Sequence, residues 1–214
     1  MVKRIRERVC GLILLKKIVY LISPNKITQK FYKTLDKVLS FKNVKFFQLR
    51  LKNESQKNLM NICKKLKRIT VKHKVKFIIN DNYNLTFKIK ANGCHMGQQD
   101  GSFKIARKKL KGKILGITCH DSKVLAKKAV DHKADYIAFG SFFKSRLKPK
   151  AKKANIQILR WAKKNIKKPI VVIGGINNIN YKRLLNAGAK YIALSSFIWD
   201  NPKLTPELAI KKFK

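Results

Sequence analysis

Acidic residues are scarce in this chain: ten Asp and Glu stand against fifty-two Lys and Arg in 214 residues, a formal net charge of +42. Paired cysteines are also missing. Cys10, Cys63, Cys94 and Cys119 are scattered with no C-x-x-C pair, which argues against a disulfide framework and fits a reducing compartment. No Cys/His pair has zinc-ligand spacing, so a structural zinc site is not expected. No apolar run approaches the ~20 residues that a membrane span needs. The run Val9 to Leu15 follows a basic start, but Lys16-Lys17 breaks it and no small-residue cleavage pattern follows. Residues 1–16 therefore read as a basic lead-in to the first strand, and cytoplasmic residence is expected. No Pro/Gly/Ser linker divides the chain and no fixed-period repeat appears, so one domain over 1–214 is expected. The 45% apolar content is enough for its core.

The charge admits three readings: a nucleic-acid binder, a protein working on highly anionic small molecules, or a generally lysine-rich composition. Nucleic-acid binders concentrate charge in a patch and interleave it with aromatics. Here Lys is spread over almost every polar segment, which favours a generally basic, solvated surface. Such a field still draws anionic substrates in faster.

Apolar patterning gives eight strand-then-helix units. Strands are expected at Lys17–Ser23, Val44–Leu51, Phe77–Asn80, Cys94–Met96, Ile114–Cys119, Tyr136–Phe139, Pro169–Ile173 and Tyr191–Leu194. Helices are expected over Ile27–Leu39 and Glu54–Val71, then up to Ala91, and over Phe103–Leu110. Others follow Asp121 or Ser122 as cap, cover Ile156–Asn165, run from Asn178 or Asn180 to Gly188, and span Pro206–Phe213. Val/Ile-rich strands without strict alternation indicate a parallel sheet covered by helices. The pattern fits a small single-domain (β/α)8 TIM barrel, with a doubly wound open sheet as the alternative.

In such a barrel the chemistry sits at the C-terminal strand ends. After the second strand, alternation sends Gln48, Arg50 and Lys52 to one side, three donors suited to phosphate, or else a solvated edge. Asp81 and Asp100 end the third and fourth strands. They could hold a hard cation such as Mg²⁺ between them, or each could cap the helix that follows it. Gly174-Gly175 and Ser195-Ser196 end the seventh and eighth strands, where these barrels often bind phosphate. His120 could transfer protons or be hydrogen-bonded structurally, and His95 reads as structural. Cys119 beside His120 is not a nucleophile pair, because neighbours on a strand face opposite ways.

Taken in order, QLRLK (Gln48 to Lys52), IND (Ile79 to Asp81), HMGQQD (His95 to Asp100), GITCH (Gly116 to His120), ADYIAFGSFF (Ala134 to Phe143), IGGI (Ile173 to Ile176) and AGAKYIALSSFI (Ala187 to Ile198) make the sequence resemble the thiamine phosphate synthase family. The resemblance runs from about Val19 to Trp199. It implies an enzyme of the (β/α)8 class that joins a hydroxymethylpyrimidine diphosphate to a thiazole phosphate, giving thiamine phosphate and pyrophosphate. By that similarity Gln48, Arg50, Lys52 and Asn80 would hold the pyrimidine diphosphate. Asp81 and Asp100 would bind Mg²⁺, and Gly175, Ser195 and Ser196 would hold the thiazole phosphate. Thr118 stands where the family usually has Ser. The segment after Gly140 departs from the family's P-x-F-P-T-x-T-K: Ser145 keeps one hydroxyl and Lys148 keeps the cation, but Leu147 replaces the second hydroxyl. Arg50, Lys52, Lys148 and Thr118 would carry the catalysis. A thiazole tautomerase using His120 is the nearest competing reading. A non-catalytic basic nucleic-acid-binding protein is a more distant one, and a homo-oligomer is left open.

Overall fold

The computed structural model describes residues 17–52, 54–144 and 153–214. The expectations placed on the 1–16 lead-in with Cys10, and on Ser145, Leu147 and Lys148, lie outside the described residues. Eight parallel strands close into a barrel in chain order. The first half runs β1 (Val19–Ile22), α1 (Gln29–Leu39), β2 (Val44–Leu49), α2 (Gln56–Lys72), β3 (Lys76–Asn80), α3 (Tyr83–Lys88), β4 (Gly93–Met96) and α4 (Phe103–Leu110). The second runs β5 (Ile114–His120), α5 (Lys123–Asp131), β6 (Tyr136–Gly140), α6 (Gln157–Asn165), β7 (Ile170–Ile173), α7 (Tyr181–Asn186), β8 (Tyr191–Leu194), α8 (Ser196–Trp199) and α9 (Pro206–Lys211). Among the described residues, no helix is long and apolar enough to cross a membrane.

Strand alternation sorts the apolar side chains into two compartments. Tyr20, Ile22, Phe46, Ile78, Tyr136 and Val171 pack together inside the barrel. Their strand neighbours, among them Leu21, Phe47, Phe77 and Leu115, face the helices. Because both faces are buried, the strands read as apolar runs rather than as a two-period pattern. The helices present the matching stripe: α1 buries Phe31, Leu35, Val38 and Leu39. Each such side chain removed from water contributes about 1.5–3 kcal/mol.

Several element ends shift by one or two residues from expectation, and two differences bear on the mouth of the barrel. β2 ends at Leu49 instead of Leu51, because the Arg50 N–H is taken by Ser23 Oγ at 3.0 Å rather than by a ladder partner. The short α8 falls in AGAKYIALSSFI, where the apolar run conceals a change from strand to helix. It is anchored by Trp199 Nε1 donating to Ile22 O at 2.6 Å. With Ser195 Oγ donating to Ser23 O at 3.3 Å, these bonds tie the C-terminal ends of β8, β1 and β2 together and fix one side of the mouth.

Candidate active site

The two scarce carboxylates meet at that mouth. Asp81 leaves β3 in a left-handed turn (φ +62°), and its N–H donates to His95 O at 2.7 Å, joining the end of β3 to β4. Asp100 closes the turn after β4, its Oδ2 accepting from the Gly97 N–H at 2.6 Å. The two carboxyls are close enough to share a hydrogen bond. Burial above all, then the hydrogen bond and charge of Asp100, push the Asp81 carboxyl up to about 7, against the pull of Arg50 and Lys52. The helix-capping explanation falls away. α3 is capped by Asn82, accepting from Leu85 N at 2.8 Å, and α4 by Ser102, accepting from Ile105 N at 3.4 Å.

The basic cluster sits beside the pair, though not as strand alternation placed it. With β2 finished at Leu49, Gln48 is buried in the barrel, Arg50 is half-buried past the strand end and Lys52 is exposed. Gln48 Nε2 donates to Asn80 Oδ1 at 3.0 Å, and Asn80 Nδ2 donates to Asp81. The two amides thus form a string that orients the Asp81 carboxylate.

Sequence reasoning missed the centre of the barrel. His95 is not a bystander. Its Nε2 lies 2.8 Å from Thr118 Oγ1 and its Nδ1 lies 2.9 Å from Tyr136 OH, with the ring stacked on Tyr136. Tyr136 OH in turn meets Tyr20 OH at 2.7 Å. Burial is the main cause that lowers the His95 pKa to about 4; Arg50 acts the same way and Asp100 against it, so the ring is neutral near pH 7. Gln98 donates to Thr118 O. A Cβ on Gly116 would land inside the Tyr136 ring, so glycine there makes room for the file. That glycine inside GITCH was the available signal.

At the far side of the mouth, Gly174 (φ +104°) and Gly175 (φ +60°) follow β7. Cβ atoms on them would strike Ser141, Phe143 and Lys144, so the glycines let the segment after β6 lie across the end of β7. Phe142 N and Phe143 N donate to Ile173 O and Gly174 O at 3.1 and 3.0 Å. Asn180 Nδ2 donates to Gly175 O at 3.0 Å and fixes the loop. Ser195 and Ser196 are half-buried at the start of α8, whose first N–H groups lack intrahelical acceptors. Gly175, Ser195 and Ser196 thus lie on the barrel ends that phosphate-binding loops use.

His120 is set apart. A bulge in β5 between Thr118 and His120 puts His120 opposite Phe139, whose side chain faces the helices, and leaves it exposed. Cys119 is buried on the outer side, its thiol pushed up to about 12 by burial.

Among the described residues no group of three or more His, Cys, Asp and Glu side chains could hold a metal. Two facing carboxylates beside a basic cluster instead fit a hard divalent cation that keeps waters and takes phosphate oxygens, the habit of Mg²⁺.

Residues 19–198 match the family model described as thiamine monophosphate synthase. The chain is 52% identical over 200 residues to the thiamine-phosphate synthase of Pelagibacter ubique, covering 93% of this chain and 97% of that protein. It is 38% identical over 186 residues to the thiamine-phosphate synthase of Erythrobacter litoralis, covering 85% and 87%. The fold superposes with a TM-score of 0.82 on a thiamine phosphate pyrophosphorylase from Pyrococcus furiosus, at 24% identity over 94% of this chain and 96% of the other. On the extent and identity of these matches, this (β/α)8 barrel belongs to the thiamine monophosphate synthase family.

Proposed function

We propose that the protein is the transferase that joins hydroxymethylpyrimidine diphosphate to thiazole phosphate, releasing pyrophosphate and giving thiamine phosphate. The observation that carries this reading is the Asp81–Asp100 pair facing Arg50 and Lys52 at the mouth of a barrel of this family. Gln48 and Asn80 lie at the same wall, and Gly175, Ser195 and Ser196 across the mouth are the positions for the thiazole phosphate.

The difficult event is separation of pyrophosphate from the pyrimidine methylene, with negative charge growing on the leaving oxygens. Arg50 and Lys52, with Lys148 assigned from sequence alone, neutralise that charge, and preorganised electrostatics of this kind is usually the largest catalytic contribution. Thr118 offers a hydroxyl to the same group. Asp81 and Asp100 would hold Mg²⁺, which when bound lowers the cost of that developing charge. The pyrimidine carbocation left behind is captured by the thiazole nitrogen held opposite it, and positioning supplies much of the rest. No protein nucleophile is needed, consistent with the buried Cys119 and the outlying His120.

Cytoplasmic residence is consistent with the buried, unpaired Cys63, Cys94 and Cys119. A basic surface that gathers anionic substrates accounts for the +42 charge without a nucleic-acid partner. The protein acts alone or as a homo-oligomer. Incubation with both phosphorylated substrates and Mg²⁺, followed by quantification of thiamine phosphate and pyrophosphate, tests the reading. Equimolar release of the two products is expected, and none at any enzyme concentration would overturn it.

A further inference from the structure

Four polar side chains inside the barrel, from β1, β6, β4 and β5, form one unbranched file. Tyr20 OH lies 2.7 Å from Tyr136 OH, Tyr136 OH 2.9 Å from His95 Nδ1, and His95 Nε2 2.8 Å from Thr118 Oγ1. The inner end is closed. Tyr20 is 2% exposed, packs against Phe46, and among the described residues has Tyr136 as its hydrogen-bond partner. The outer end is open, with Thr118 half-buried near the mouth.

Each contact holds one hydrogen, and this restricts how the file can be polarised. When donation runs outward, Tyr20 gives to Tyr136, Tyr136 to Nδ1, and Nε2–H to Thr118. The Thr118 oxygen is then an acceptor toward His95, so its own hydrogen points away from the file. When donation runs inward, Thr118 spends its hydrogen on Nε2 and Nδ1–H donates to Tyr136. Tyr136 then donates to Tyr20, whose hydrogen is left in an apolar interior. A doubly protonated ring strands a tyrosine hydrogen in the same way. Only the outward polarity leaves every buried hydrogen with an acceptor, and a stranded donor costs more than an unused lone pair.

We infer that Tyr20 and Tyr136 are positioning residues that fix His95 as the Nε2–H tautomer and so make the Thr118 hydroxyl an obligate donor to an anionic substrate oxygen at the mouth. The acceptor's identity as a diphosphate oxygen rests on the proposed function; the polarity of the file does not. A hydroxyl that His95 cannot consume is always available where leaving-group charge develops, an alignment set before substrate arrives. Gly116 belongs to the same device, because any side chain there would displace the Tyr136 ring.

The test begins on the wild-type full chain, labelled with ¹⁵N-histidine. Long-range ¹⁵N–¹H NMR reads the ring of His95, assigned by its loss in His95→Gln. The expected result is a neutral Nε2–H ring in the wild type. The same tautomer is expected in Tyr20→Phe, where Tyr136 becomes the closed end and must still donate outward. A mixed tautomer is expected in Tyr136→Phe, where nothing donates to Nδ1. In turnover, Tyr136→Phe and Thr118→Val should each lower kcat by about tenfold, the kinetic equivalent of one hydrogen bond, with KM moving about twofold or less. Thr118→Ser, which keeps the hydroxyl, should lose less rate than Thr118→Val. The double variant Tyr136→Phe/Thr118→Val should lose no more than Thr118→Val alone. An Nδ1–H ring in the wild type overturns the inference, and so do losses that multiply in the double variant, which would leave Tyr136 a packing residue. The wild-type ring measurement uses no substrate and no folded variant beyond the assignment control. A protein without synthase turnover would therefore count against the proposed function while the tautomer still reports on the file.

Discussion

Asp81→Asn isolates the charge conflict at the mouth. Asn matches Asp in size and tolerates the left-handed backbone of this position (φ +62°), so the substitution removes little except one negative charge. Without a divalent cation the folded protein holds the Asp81 proton until about pH 7, whereas the unfolded chain releases it near 3.8. The folded state thus binds this proton more tightly. Its stabilising effect is complete below the unfolded value and is lost as pH rises through the window from 3.8 to about 7. A shift of that size corresponds to about 4 kcal/mol at most. Asp81 is only half-buried, and solvent screening reduces the figure to about 1–2 kcal/mol. In chelator at pH 8, Asp81→Asn should therefore be more stable than the wild type by about 1–2 kcal/mol, about 2–8 °C in Tm for a chain of this size. At pH 4 the two should nearly coincide. Mg²⁺ at ten times its Kd should add about 1.4 kcal/mol to the wild type and little to the variant. Urea unfolding followed by circular dichroism is the assay, chosen because urea leaves surface charge unscreened. A variant less stable than the wild type at pH 8 in chelator would refute the reasoning, as would equal stabilisation of both proteins by Mg²⁺.

Arg50→Ala removes a charge-assisted contact and should lower kcat/KM for the pyrimidine diphosphate by about 10- to 150-fold, measured by steady-state kinetics; it should also move the Asp81 titration upward, since Arg50 opposes the rise. Gly116→Ala forces a methyl into the Tyr136 ring and should cost about 1–3 kcal/mol in urea unfolding, and an unchanged midpoint would contradict the packing described. His120→Asn keeps a residue suited to φ +51° and should form thiamine phosphate within about twofold of the wild type; a loss near a hundredfold would return the proton-shuttle role to His120.

The barrel was legible because most of the strands are short apolar runs separated by helical spacing, a pattern that survives errors of a residue or two and one weak strand, Gly93–Met96. The misread end of β2 has a specific cause: Gln48-Leu49-Arg50-Leu51-Lys52 continues a two-residue alternation after the ladder has stopped, and only the Ser23 hydroxyl, twenty-seven residues away, ends it. The carboxylates were legible as a strand-end pair that could hold a cation between them, with helix capping left open as the alternative. Whether Asp81 capped α3 depended on Asn82 being the better-placed cap, a competition between adjacent residues that sequence leaves open. His95 was legible as structural, but its direction and partners were not. In a strand buried on both faces, Cys94 and His95 are equally credible as the inward residue. The partners that settle it, Thr118 and Tyr136, are 23 and 41 positions away.

The scarcity of acid in this chain gives the Asp81–Asp100 contact its weight. Asp36 is paired with Lys72 and His73, and Asp135 with Arg107 and a backbone N–H. With fifty-two cations in the chain, two of its ten carboxylates could each have found a basic partner at little cost. Instead they face one another, with Asp81 desolvated and held in place by the Gln48–Asn80 string and Asp100 by the Gly97 N–H. At neutral pH folding alone gains nothing from that arrangement, since burial and the neighbouring Asp100 raise the cost of ionising Asp81. The arrangement would become favourable with a divalent cation and a diphosphate bound together. On the proposed function, Asp81 and Asp100 would hold the cation and Arg50 and Lys52 would neutralise the diphosphate, so that the conflict in the protein alone would become charge complementarity in the complex.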